Sequence, residues 1–151
     1  MERIASFTVN HDKIEPGLYI SRRDGAVVTY DLRTRKPNAG DYMDSRTMHS
    51  VEHLFATFVR NGDIAKDVLY FGPMGCQTGF YLLVQSADPM TVRQSVLHTL
   101  EQILEYEGEM PGASRRECGN YKNLSIDSAK KECAKYLKAL WNSNGSFAYP
   151  E

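Results

Sequence analysis

His49-Ser50-Val51-Glu52-His53 is the segment of this chain whose residue types and spacing could do chemistry. On a helix, positions i and i+4 face the same way, so both imidazoles could reach one divalent ion. Glu52 lies three residues after His49 and shares that side. At about 100° per residue the three side chains fall beside the helix's apolar stripe, at the edge of the core where a cleft would form. Two histidines at this spacing also arise as chance neighbours on a solvated helix. The carboxylate between them, and their place at the rim of an apolar face, argue for a metal instead.

Two histidines leave an ion short of ligands, because a catalytic site normally has three protein ligands and one open position. The chain has three cysteines, an odd number, so they cannot all pair within it and are read as thiols. Cys118 precedes Gly119 in an irregular stretch, where the backbone can approach closely, and is the best candidate for the third ligand. Cys133 falls on an apolar helical stripe and reads as a small buried hydrophobe. Cys76 sits in a Gly-rich loop, a place that exposes a thiol near a cleft; the alternative is an inert loop cysteine. A neighbouring cation or metal would make it reactive. His98 lies on the polar side of its helix, and periodicity gives His11 no role.

These residues need elements to position them. Gly17 to Ser21 and Ala26 to Arg33 read as strands, with a hairpin turn over Arg22-Arg23-Asp24-Gly25. Ser45 to about Asn61 has helical period, with Met48, Val51, Leu54, Phe55, Phe58 and Val59 on one face. Val68 to Phe71 and Phe80 to Val84 read as two more strands flanking the Cys76 loop. Asp88-Pro89 opens a second helix reaching about Glu107, with Val92, Val96, Leu100 and Ile103 inward. Pro111 to Ile126 is irregular. A last helix over about Asp127 to Trp141 carries Ala129, Cys133, Tyr136, Leu137, Leu140 and Trp141 on one stripe. Strands and helices mix without strict β-α alternation, which predicts an α+β fold with an antiparallel sheet packed against helices.

The 151 residues suit one domain over 1–151, and neither an internal repeat nor a long linker divides them. Hydrophobic residues at 42% and charged residues at 25% are ordinary values for a soluble globular protein. A net charge of -1 argues against a nucleic-acid partner or a membrane surface, which both call for a basic excess. Met1-Glu2-Arg3-Ile4 lacks the plan of a signal peptide, and no apolar run is long enough to span a bilayer, so the expected compartment is the cytoplasm.

Further blocks bear on function. Ser6-Phe7 with His11, Asp31-Leu32-Arg33 followed by Pro37-Asn38, His49 to Leu54, Pro73 to Gly79, and Glu117-Cys118-Gly119 stand in this order along the chain. Together they resemble the S-ribosylhomocysteine lyase (LuxS) family, to about residue 120, with a last helix that is compatible. The resemblance implies a lyase that cleaves the thioether of S-ribosylhomocysteine to homocysteine and 4,5-dihydroxy-2,3-pentanedione, the autoinducer-2 precursor. It implies one Fe(II) per subunit on His49, His53 and Cys118, with Zn(II) or Co(II) as substitutes. It further implies Glu52 and Cys76 as acid/base groups, Ser6, His11 and Arg33 as substrate contacts, and a homodimer with sites at the interface. The sequence departs from the family pattern at Tyr70, where an acidic residue often stands six positions before the loop cysteine.

Two other classes fit parts of the pattern. H-x-x-E-H is also the signature of inverted zinc peptidases, whose third ligand is usually a distant carboxylate. A structural zinc site on His49, His53, Cys118 and a fourth protein ligand is the non-enzymatic alternative.

Overall fold

The computed structural model describes residues 1–151. Its strands are β1 (Gly17–Asp24), β2 (Val27–Arg33), β3 (Val68–Pro73) and β4 (Gly79–Gln85). They form one antiparallel sheet in the order β1-β2-β4-β3. The helices are α1 (Ser45–Val59), α2 (Pro89–Glu105) and α3 (Ile126–Asn142). Alternation along the strands sends Leu18, Val28, Tyr30, Leu32, Phe80, Leu82 and Val84 into a core shared with all three helices. Phe55 of α1 stacks on Phe71 of β3 at 4.4 Å between ring centroids, and Phe71 on Phe80 of β4 at 5.1 Å. This three-ring stack fixes α1 against the sheet. The architecture is α+β, a two-layer single domain as expected from the sequence.

Each helix begins where its side chains dictate. The carboxylates of Asp44 and Asp88 accept from the backbone N–H groups of Thr47 and Thr91, and the Ser125 hydroxyl accepts from that of Ser128. These bonds satisfy donors that a helix start leaves free. No helix is long and apolar enough to cross a membrane.

Three expected boundaries and one expected core residue differ. β1 continues to Asp24, with Arg22 and Arg23 paired to Thr29 and Val28, so the hairpin turns over Gly25-Ala26 alone. Gly25 supplies the positive φ of 61° that a tight two-residue turn requires. α1 ends at Val59, and α2 ends at Glu105, before a stretch with no regular structure. Trp141 does not join the apolar stripe of α3; it is 63% exposed. One residue beyond buried Leu140 is a rotation of about 100°, which carries the indole past the stripe's edge.

Candidate metal centre and the cysteine pocket

α1 presents His49 and His53 one turn apart, as its period dictates, with their rings 4.6 Å apart and nearly perpendicular. The imidazoles are set by backbone from a distant part of the chain. His49 Nδ1 lies 2.9 Å from the Asn123 carbonyl oxygen, and His53 Nδ1 lies 2.8 Å from that of Pro111. A carbonyl only accepts, so each Nδ1 carries the proton and donates it. Each Nε2 is thereby left with a lone pair, the arrangement that orients histidine ligands toward a metal.

The irregular 111–125 segment wraps over α1 and brings Cys118 with it. Cys118 Sγ lies 3.3 Å from His49 Nε2, and the ligand atoms of His49, His53 and Cys118 all fall within 4.8 Å of one another. Two ligands of one tetrahedral ion, an imidazole nitrogen and a thiolate, stand about 3.5 Å apart. Spacing and donor chemistry therefore suit a divalent ion that accepts mixed nitrogen and sulfur ligands.

The loop is tethered at several points. Asn120 N–H points at Cys118 Sγ at 3.4 Å, Asn123 Nδ2 donates to Ser45 Oγ, and Ser125 N–H donates to Ser50 Oγ at 2.7 Å. Gly112 has φ +69°, and a Cβ there would lie 3.2 Å from His53 Nδ1. A side chain at that position would be strained in backbone and would press on the ring. Asn123, Ser50, Pro111 and Gly112 were not among the candidate residues read from sequence. The Pro111-Gly112 turn dipeptide was the one visible signal.

The peptidase alternative calls for a distant carboxylate, but the group brought to the imidazoles is the Cys118 thiol. The structural-zinc alternative calls for four protein ligands, and the cluster has three. Glu52 is half-buried on the same flank of α1.

A second group lies on the face of the sheet opposite the core. Two adjoining clefts of about 310 and 320 Å³ share His11, Arg33, Gly75 and Cys76; Ser6 and Tyr81 line the second. Ser6, His11, Arg33 and Cys76 are thus brought together. Neither cleft is lined by His49, Glu52, His53 or Cys118.

The Cys76 loop is closed by hydrogen bonds from Met74 N–H to the Gly79 carbonyl and from Gln77 N–H to that of Met74. Gln77 takes a positive φ of 68°, a costly conformation for a residue with a side chain. Its backbone and side chain both bond to Met43, which holds the loop in that shape. Cys76 is exposed, with Sγ 3.1 Å from Thr78 Oγ1 and 3.9 Å from Arg33 Nη1.

Arg33 itself is 2% exposed and Asp31 fully buried. Arg33 Nε and Nη2 bond the two oxygens of Asp31 at 3.1 and 2.6 Å, and Nη1 donates to Thr78 Oγ1 at 2.9 Å. Burial alone would lower the guanidinium's pKa. The hydrogen bonds and charge of Asp31 outweigh burial and hold it above its ordinary value. Tyr81, opposite Asp31 in the register, has its phenol raised first by burial and then by the Asp31 charge. Gly79 permits this packing: a Cβ there would lie 2.7 Å from the Leu32 carbonyl oxygen. Cys133, by contrast, is sealed in the core, where burial and then Glu132 push its thiol up to about 12.

Fold and sites together describe a small α+β enzyme, and comparison with known proteins gives its class. Residues 4–146 match the family model described as S-Ribosylhomocysteinase (LuxS). The chain is 44% identical to the S-ribosylhomocysteine lyase of Clostridium acetobutylicum and 42% identical to that of Finegoldia magna, each over the full length of both proteins. It is 40% identical to the S-ribosylhomocysteine lyase of Borreliella burgdorferi over 94% of each chain. The chain belongs to the S-ribosylhomocysteinase (LuxS) family, and it is a lyase acting on a small molecule.

Proposed function

We propose that this chain cleaves S-ribosylhomocysteine to homocysteine and 4,5-dihydroxy-2,3-pentanedione, the autoinducer-2 precursor, by carbonyl migration and β-elimination. The observation that carries this reading is the His49, His53 and Cys118 cluster, with each histidine Nδ1 bonded to a backbone carbonyl, in a chain of this family. These three residues hold Fe(II), one per subunit, with Zn(II) or Co(II) as substitutes. When bound there, such an ion would supply Lewis-acid polarisation of a carbonyl oxygen.

The protein's own groups move the protons. A thioether sulfur leaves as thiolate only when the neighbouring carbon bears an acidic proton, so the carbonyl must first reach the position next to that carbon. Each shift takes a proton from one carbon and returns one to its neighbour. Loss of a last proton then forms the carbon-carbon double bond as the carbon-sulfur bond breaks. Protons on different carbons and faces call for two acid/base groups, and Glu52 and Cys76 divide that work. The Arg33 guanidinium and the Thr78 hydroxyl stand beside Cys76 Sγ. Ser6, His11 and Arg33 line the clefts around Cys76 and hold the substrate.

Within one chain the cluster and the Cys76 clefts do not share a cavity. This supports a homodimer in which one subunit's cluster meets the partner subunit's Cys76 cleft. Exposed Phe7 and Tyr42, each at the edge of a Cys76 cleft, are apolar surface that such a partner would cover. The enzyme works in the cytoplasm, where thiols stay reduced.

The test is direct. Anaerobically purified, Fe(II)-loaded protein is incubated with S-ribosylhomocysteine, and released thiol is followed with a chromogenic reagent against the protein's own cysteines. Release that stops on chelation and returns with Fe(II) or Co(II) supports the reading. Folded, metal-loaded protein that releases no homocysteine sinks it.

A further inference from the structure

The Cys76 cleft is braced from behind by a part of the chain far from it in sequence. After α3 the backbone returns across the sheet: the Phe147 carbonyl accepts from Ile20 N–H at 2.8 Å, beside the bulge in β1, and the Phe147 ring meets Tyr30 edge-on. Two residues later Tyr149 stacks on Tyr19 at 4.9 Å between centroids, and its hydroxyl donates to Asp31 Oδ2 at 2.7 Å. Burial, followed by the Asp31 charge, raises the Tyr149 phenol well above its ordinary range, so it remains a donor at any physiological pH. Asp31 Oδ2 therefore accepts from two groups at once, Tyr149 and Arg33.

We propose that Tyr149 is a positioning residue for the reaction, acting through Asp31 and Arg33 on Cys76. Two physical effects run along this chain of contacts. The first is geometric. Tyr149 fixes the plane of the Asp31 carboxylate, which takes Arg33 Nε and Nη2 as a fork and leaves Nη1 aimed at Thr78 and Cys76. The second is electrostatic. A hydrogen bond donated to Asp31 disperses part of its negative charge, so more of the Arg33 charge is left to act on Cys76 Sγ, 3.9 Å from Nη1. Besides Arg33 and Thr78, Cys76 shares its clefts with His11 and Tyr81. Ser21 also bonds the Tyr149 hydroxyl, and the bond to Asp31 is the one that leads from it through Arg33 to Cys76.

The inference rests on Cys76 acting as an acid/base group, and its test is independent of turnover. The probe is iodoacetamide at neutral pH on Fe(II)-loaded protein, with the alkylation rate at Cys76 read by peptide mass spectrometry. Tyr149→Phe keeps the ring and its stacking on Tyr19 but removes the donor. It is expected to slow Cys76 alkylation about fivefold, a fraction of what one hydrogen bond to a charged group controls. Turnover of S-ribosylhomocysteine is expected to fall in kcat by a similar factor, with a smaller change in KM.

Phe147→Leu is the control, because it loosens the same segment without touching Asp31. It is expected to lower Tm while leaving the Cys76 alkylation rate at the wild-type value. Tyr149→Phe that alkylates at the wild-type rate overturns the proposal, whatever its Tm. So does Phe147→Leu that slows alkylation as much as Tyr149→Phe, since ordering of the segment would then explain both. Should no lyase activity be found, the alkylation comparison still decides whether Tyr149 governs Cys76.

Discussion

The His49/His53/Cys118 cluster and the Cys76 clefts hold their functional side chains by opposite means. In the cluster, half-buried side chains on a helix are aimed by neutral backbone carbonyls of Asn123 and Pro111, and the thiol rides on a loop. In the clefts, an exposed thiol faces a guanidinium whose charge is balanced by a fully buried carboxylate. The first arrangement keeps nitrogen and sulfur lone pairs available to a cation and costs little desolvation. The second removes two charges from water, which is tolerable only while both remain paired and hydrogen-bonded. One region is therefore suited to ligation, and the other keeps a positive charge beside a sulfur.

That contrast breaks most sharply at the cysteines. Cys118→Ala is expected to lose bound metal, from about one ion per subunit to near zero by elemental analysis, and with it all measurable thiol release. Cys76→Ala is expected to keep its metal while turnover falls by about 10²–10⁴-fold. Equal metal loss in both variants would erase the division between the regions.

Stability separates them next. Arg33→Met leaves the Asp31 carboxylate buried without its partner and is expected to cost about 3–5 kcal/mol in urea unfolding. His53→Ala in the metal-free protein is expected to cost about 1 kcal/mol, the worth of one hydrogen bond on a half-buried side chain. A smaller loss at Arg33 than at His53 would show that the Asp31–Arg33 pair is not the brace described here.

Gly112→Ala tests how the cluster is aimed. The left-handed backbone and the close approach to His53 predict about 1–2 kcal/mol of destabilisation. Turning the ring should weaken metal affinity by about tenfold, read by competition with a chelator. Unchanged affinity would mean that the 111–125 segment does not set the imidazole.

Cys133 supplies the smallest effect, as a thiol governed first by burial and then by the neighbouring Glu132 charge. Its folded pKa of about 12 lies above the 9.0 of an unburied cysteine thiol. A raised folded value means the neutral thiol stabilises the fold fully below pH 9. That stabilisation is lost as pH rises from 9 toward about 12. Tyr136, whose phenol burial pushes up strongly, adds to the same alkaline loss. Urea midpoints measured from pH 8 to 11 should therefore fall, and fall less steeply in Cys133→Ala. Equal slopes would show that this thiol does not titrate with unfolding.

Much of the scaffold was legible because it is local. The 3.6-residue period placed His49, Glu52 and His53 on one flank of α1. The Asp88-Pro89 start and the inward faces of α2 and α3 followed from the same rule, as did the burial of Cys133. The rule failed at Trp141, where one more step around the helix left the stripe. It also failed at the β1–β2 turn, where charged Arg22 and Arg23 read as loop but lie on solvent-facing strand. Matching blocks along the chain point to the family without reference to the fold.

Tertiary structure alone decided what surrounds those residues. Cys118 reaches His49 across 69 residues, and the Asn123 carbonyl reaches it across 74. Tyr149 reaches Asp31 across 118. Asp31 entered only as part of a matching block and Tyr149 carried no signal in the sequence, since an aromatic near a chain end has many uses. Periodicity reports which side of its own element a residue occupies. Which backbone carbonyl orients an imidazole, or which hydroxyl steadies a buried carboxylate, depends on how separate elements close on one another, and that closure is set by the whole core.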